Sequence, residues 1–228
     1  MPIIRWMRCA ECSHQFTWGY HTDDALKIIF SEAQSVQTPT GMDGAAIEGA
    51  RTLWRSLLDA VGQHRVDGRW LDVGAGSGML LALAAECGYE VAALELRGVV
   101  ADALRLIGIE VLEEQVEHLA DGPPSRFQII TLCDVLEHIA YPLPVLDAVT
   151  HALSIGGILA ISCPNRDSLA WDRLSDEGRN PYWSEIEHVH NFSFRQVRRL
   201  LVERGYTKVR CSVSPRYRIC MDVTAVRG

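Results

Sequence analysis

The residues most able to do chemistry in this 228-residue chain begin with Asp72-Val-Gly-Ala-Gly-Ser-Gly78. Gly74, Gly76 and Gly78 alternate with small residues, so the backbone can turn sharply and a ligand can approach the main chain. A helix that starts directly after such a loop turns its first amides toward an anionic group. Both a dinucleotide and a smaller nucleoside cofactor suit a glycine loop. A dinucleotide fingerprint needs glycine three residues after the second glycine, and Met79 stands there instead. About twenty residues after the first glycine comes Glu95, an acid at a strand end. Alone it fits a solvated surface equally well. At this distance from the loop it is placed to accept hydrogen bonds from both hydroxyls of a ribose.

A second group of residues suits proton transfer, which draws mostly on histidine and carboxylates. Glu137-His138 follows an apolar run, and Glu187-His188 lies in Tyr182-Trp-Ser-Glu-Ile-Glu-His-Val-His-Asn-Phe-Ser193. Each has a plain local alternative. His138 could cap or pack a short helix around Leu136, and Asn191 or Ser193 could cap the next helix with His190 packed against it. Trp171, Tyr182 and Trp183 suit a pocket covering an apolar or ring-shaped molecule, or simply pack the segment that holds them. Cys9-Ala-Glu-Cys12 has zinc-knuckle spacing, but tetrahedral zinc needs four ligands and only His14 and His21 stand nearby in sequence. The pair reads either as part of a zinc site or as two free thiols beside Trp6 and Trp18, and no metal ligand is assigned.

With these residues in order, the chain resembles the class I S-adenosylmethionine-dependent methyltransferases over residues 69 to 165. It most resembles the branch of ubiquinone-biosynthesis O-methyltransferases and related small-molecule and sugar methyltransferases. The resemblance implies a cofactor cradle at Asp72, Gly74, Ala75, Gly76 and Gly78, with Glu95 on the ribose and Leu96 beside it. Gln115 would meet the adenine amino group and the Val116 amide a ring nitrogen, although many relatives carry aspartate at the Gln115 place. Cys133 and Asp134 would sit beside the methionine part, Leu136 beside the sulfur, and His138 near the methyl end. Glu187-His188 resembles the Glu-His pair with which sugar C-methyltransferases abstract a proton, making His188 the expected general base. The implied reaction moves a methyl group from S-adenosylmethionine to a small molecule, at oxygen first and carbon next, and leaves S-adenosylhomocysteine. Two rivals are a nucleotide-linked oxidoreductase on the same sheet and a cofactor-binding regulatory protein without chemistry.

Positioning these groups requires a doubly wound α/β fold. Strand-like runs at Arg69–Val73, Glu90–Leu94, Glu110–Leu112, Phe127–Leu132 and Gly157–Cys163 alternate with helix-like runs at Met79–Cys87, Val99–Ile107 and Pro142–Leu153. Such alternation implies parallel strands with right-handed crossovers and helices on both faces. Upstream, steps of three and four between Ile47, Ala50, Trp54, Leu57, Leu58 and Val61 mark an amphipathic helix. At the other end, helix Phe194–Arg204 and strands Thr207–Ser214 and Tyr217–Val226 predict an antiparallel edge. The family's seven-stranded order, 3-2-1-4-5-7-6, is expected. Residues 1–44 read as an extension, with a short helix at 23–30 and a linker at Ser31–Gly44, and residues 45–228 as the methyltransferase domain.

A net charge of −7 argues against a broad nucleic-acid surface. The arginines at 195, 198, 199, 204 and 210, with Lys208, read as a solvated helix face. No apolar run has the length of a membrane span and no signal peptide is visible. Seven cysteines, five of them single within apolar or strand-like sequence, suit a reducing compartment, so a cytoplasmic protein is expected. Oligomeric state and the acceptor's identity are not legible.

Overall fold

The computed structural model describes residues 4–19, 21–22, 24–25, 28–29, 44–112, 115–217 and 219–228. The expected linker, apart from Gly44, lies outside these residues. Seven strands build the main sheet: β3 (Arg69–Val73), β4 (Glu90–Leu94), β5 (Glu110–Leu112), β6 (Phe127–Cys133), β7 (Leu153–Pro164), β9 (Tyr206–Val213) and β10 (Cys220–Arg227). Their order is β5-β4-β3-β6-β7-β10-β9, with β10 antiparallel to both β7 and β9 and the other pairs parallel. This is the expected 3-2-1-4-5-7-6 order, closed by an antiparallel hairpin.

Because strand side chains alternate between faces, the central strands feed two cores. Trp70 of β3 and Ile129 of β6 join one cluster with Leu57 and Val61 of α1 (Gly44–Gly62), Leu80 and Leu81 of α2 (Met79–Glu86), and Leu104 of α3 (Gly98–Leu106). Their neighbours Leu71, Ile130 and Leu132 join the other, with Val145 and Val149 of α4 (Pro142–Ala152) and Val197 and Leu201 of α6 (Phe194–Val202). Burial on both faces is what makes these strands read as continuous apolar runs. Ser193 caps α6 in a capping box with Gln196.

Two departures from expectation matter. Strand β7 begins directly after α4, at Leu153, with a register shift where it meets Phe127 and Ile129 of β6. A Cβ on Gly157 would stand 2.8 Å from the Gln128 carbonyl oxygen, so only glycine lets the strands pass there. The N-terminal segment, which shows no periodicity, forms a hairpin of β1 (Trp6–Arg8) and β2 (Gln15–Thr17). Strand β2 pairs with β8 (His190–Asn191) through Gln15↔Asn191 and Phe16↔His190. The extension is thereby joined to the segment carrying His188. Between β7 and β8 lies α5 (Leu169–Asp176), where Trp171 packs with Tyr182 and Trp183.

Candidate active site

Two cavities meet at the carboxyl ends of the parallel strands, where ligands bind in open α/β sheets. The larger, about 700 Å³, has Gly74, Leu94, Glu95, Leu96, Gln115 and Val116 along one side and Asp134, Val135 and His138 along the other. The smaller, about 190 Å³, is lined by Glu137, Tyr182, Glu185, Glu187, His188 and Tyr217. Asp134 and His138 line both.

Strand β3 turns out of the sheet at Gly74, whose amide donates to the Leu94 carbonyl at 2.8 Å. Its φ is +70°, and a Cβ there would come within 2.8 Å of Val135 Cγ2 and fill the cradle. Asp72 does not reach the cavity. It lies buried under the loop, accepting from Thr131 Oγ1 at 2.6 Å, and burial raises its carboxyl to about 7. Ala75 packs beside the core, and Gly78, at φ +70°, opens α2 beneath Leu104.

Glu95 is only 6% exposed. It accepts from the Gly76 amide at 3.2 Å, the Arg97 amide at 3.0 Å, and Arg97 Nε and a terminal guanidinium nitrogen at 2.9 and 2.8 Å. A carboxylate offers about four acceptor positions, so these bonds fill it. Burial pushes Glu95 up, but its bonds to Arg97 outweigh that and hold the group below its usual range.

Other sequence-derived residues divide between cavity and core. Cys133 and Leu136 are buried in the two cores and line neither cavity, whereas Val135, which sequence reasoning did not select, lines the larger one. Asp134 has φ +56°, a left-handed conformation rare outside glycine. Its amide donates to the Ser162 carbonyl at 2.8 Å, and its carboxylate accepts from Arg216 at 2.6 Å. Arg216 also donates to Ser162 Oγ at 2.6 Å and lies 4.1 Å over the Trp54 ring. No sequence signal marks Arg216, because it sits in the turn before the last strand.

In the smaller cavity His138 Nδ1 lies 3.0 Å from the Glu187 carbonyl oxygen. A carbonyl only accepts, so Nδ1 carries the proton. His188 Nε2 lies 3.0 Å from the Glu185 carboxylate, and the two imidazoles meet edge to face at 4.6 Å between centroids. Burial holds both histidines below their usual range, His188 at about 2 with His138 adding to the effect, so both are neutral. Burial, then Glu187 and Asp134, raise Glu185 to about 7. Sequence reasoning paired His188 with Glu187; packing instead brings the carboxylate of Glu185, which that reasoning did not select, to the His188 ring.

His190 turns away, its Nδ1 3.0 Å from His14 Nε2. With His14 so engaged and His21 Nε2 3.0 Å from the Ile186 carbonyl oxygen, the histidines nearest the cysteine pair face other partners. Cys9 and Cys12 flank a tight turn, and the amides of Cys12 and Glu11 lower the Cys9 thiol. All seven cysteines are free thiols.

A family model described as a methyltransferase domain matches residues 47–210. The chain belongs to this family. It is a branch of the class I S-adenosylmethionine-dependent methyltransferases, whose cofactor is S-adenosylmethionine. The ubiquinone biosynthesis O-methyltransferase of Serratia proteamaculans is 32% identical over 107 residues, 44% of this chain and 44% of that protein. That of Xanthomonas campestris pv. campestris is 33% identical over 109 residues, 45% and 46% of the two chains. The chain thus spans less than half the length of these curated relatives. In fold it is similar to the Burkholderia thailandensis 1,6-didemethyltoxoflavin-N1-methyltransferase, solved with bound 1,6-didemethyltoxoflavin and S-adenosylhomocysteine (TM-score 0.66, 15% identity, covering 96% of this chain and 98% of that one). An Archaeoglobus fulgidus S-adenosylmethionine-dependent methyltransferase gives a TM-score of 0.64 at 16% identity, over 88% and 99% of the chains.

The larger cavity fits the family's cofactor. The Gly74 cradle leaves room that a Cβ would close, a buried carboxylate stands at the second strand end, and the remaining wall is mostly apolar with a few polar groups.

Proposed function

We propose that the protein transfers a methyl group from S-adenosylmethionine to the hydroxyl of a small molecule. The observation that carries the reading is the junction of the two cavities at Asp134 and His138, which sets a donor site against an acceptor site lined by histidines and carboxylates. Gly74, Glu95, Gln115 and Val116 hold the adenosine side, and ribose hydroxyls reach Glu95 by displacing the Arg97 guanidinium. When bound, the cofactor supplies the electrophilic methyl carbon. The protein aligns an acceptor in line with it and takes the acceptor's proton. His138 and His188, neutral through burial, and Glu185 and Glu187 form the basic lining for that step. A cavity of about 190 Å³ walled by Tyr182 and Tyr217 suits a compact ring-bearing acceptor. The hairpin of β1 and β2 serves as an accessory element on the methyltransferase domain.

Calorimetric titration with S-adenosylmethionine and a methyl-transfer screen of hydroxylated ring compounds test this. Glu95→Ala should weaken the cofactor about 100-fold, as expected for losing charge-assisted bonds worth ~1.5–3 kcal/mol each. His188→Ala should leave that affinity within threefold while lowering turnover at least tenfold. Unchanged cofactor affinity in Glu95→Ala, or unchanged turnover in His188→Ala, would contradict the assigned site.

A further inference from the structure

Three side chains in the acceptor cavity carry more organisation than proton transfer requires. Glu137, His138 and His188 each place one potential ligand atom so that all lie within 4.8 Å of one another, the only such group among the described residues. Glu137 is 1% exposed and His188 6% exposed. Glu137 Oε2 and His188 Nδ1 are buried without a hydrogen-bond partner. A buried polar atom without a partner is costly, and two in one cluster point to a ligand that satisfies both.

The hydrogen bonds around the cluster set its ligand atoms. With His188 Nε2–H donated to the Glu185 carboxylate, Nδ1, buried without a partner, is left as the lone-pair nitrogen. His138 donates Nδ1–H to the Glu187 carbonyl, which makes Nε2 its lone-pair nitrogen. Metal-binding histidines are held this way, with the second ring nitrogen anchored on a carboxylate or a backbone carbonyl. Two imidazoles and one carboxylate form a recurrent three-ligand set for catalytic zinc, which keeps a fourth position open. Asp134, Glu185 and Glu187 on the same cavity wall add negative charge, of which Arg216 pairs only Asp134.

We propose that Glu137, His138 and His188 bind one divalent transition-metal ion, zinc by its donor set, with an open position for the acceptor hydroxyl. This rests on the methyl-transfer reading and specifies how the hydroxyl is activated. The bound hydroxyl loses its proton to the Glu187 carboxylate. Its oxygen then forms the bond to the methyl carbon as the carbon–sulfur bond breaks, the electron pair passing to sulfur to leave S-adenosylhomocysteine.

The test titrates Zn²⁺ by calorimetry into chelator-treated protein, with the visible absorption of the Co²⁺ form as a second probe. One ion per chain is expected in the wild type and equally in the Cys9→Ser/Cys12→Ser variant, with a Co²⁺ spectrum free of thiolate charge transfer. His188→Ala should abolish binding, and Glu185→Gln should weaken it ~10- to 100-fold, as for other groups that orient a metal-binding histidine. S-Adenosylmethionine binding in the same samples reports folding. If His188→Ala fails that control, Glu137→Gln decides by the same readout. Absence of Zn²⁺ binding, wild-type affinity in Glu137→Gln or His188→Ala, or loss of binding with the cysteines would overturn the inference. Loss of turnover in His188→Ala from a protein that binds no Zn²⁺ would sink the ion and leave methyl transfer standing.

Discussion

Replacing Arg216 by methionine isolates a charge that holds the boundary between the two cavities. The guanidinium side chain is 7% exposed and makes 2.6 Å bonds to Asp134 and to Ser162 Oγ. Methionine keeps most of the apolar stem against Trp54 and removes the rest. The charge-assisted bond to Asp134 is worth ~1.5–3 kcal/mol and the bond to Ser162 adds ~1 kcal/mol. Stacking over Trp54 at 4.1 Å adds ~1–2 kcal/mol in a desolvated setting. Asp134 is 32% exposed, so water recovers part of its loss. The expected cost is about 3 kcal/mol, the lower end of what breaking one side of a buried ion pair removes. Urea unfolding of Arg216→Met, Asp134→Asn and the double variant measures it. The cycle should return a coupling of about 1–2 kcal/mol, since the two groups touch directly. A loss below ~1 kcal/mol, or strict additivity, would refute the view that this pair holds Asp134 in its left-handed conformation.

Arg97→Ala should tighten S-adenosylmethionine binding about threefold to tenfold in calorimetry, because removing a partly buried competitor for Glu95 is worth of order 1 kcal/mol; weaker binding would mean that Arg97 helps to hold the cofactor. Gly78→Ala should destabilise the fold by at least ~2 kcal/mol in urea unfolding. The left-handed backbone alone costs about 1–2 kcal/mol there, and the added carbon would stand 2.4 Å from Leu104 Cδ2; a near-neutral effect would contradict that packing. Asp72 gives a pH dependence. Its carboxyl stays protonated in the folded chain to about pH 7 but ionises in the unfolded chain in the ordinary carboxylate range. Its contribution to stability therefore falls as pH rises between these values, by of order 1 kcal/mol per pH unit. Asp72→Asn should remove that slope between pH 5 and 7, and an unchanged slope in the variant would rule Asp72 out as its source.

Much of the scaffold was legible because its signals are local. Strands β3, β4 and β5 fall at the expected residues, since parallel strands covered on both faces read as short apolar runs between helical periods. Alternate glycines mark the loop after β3, and the acid at Glu95 lies at the next strand end on the same edge of the sheet. The N-terminal hairpin was not legible, because three-residue strands are too short to show a period. Neither was the start of β7 at Leu153, where sheet pairing extends a strand past its apolar run.

The amino-acid sequence by itself determined the order of elements, the glycine loop and the pool of acids and histidines near the strand ends. These follow from local rules of periodicity, turn chemistry and spacing. Only the tertiary structure decided which members of that pool lie together. It buried Cys133 and Leu136 in the cores, brought Glu185 rather than Glu187 to the His188 ring, and carried Arg216 from the C-terminal turn to Asp134. Those choices depend on contacts between residues far apart in the chain, such as Arg216 with Trp54 and His138 with Glu187, and no local pattern encodes such a distance.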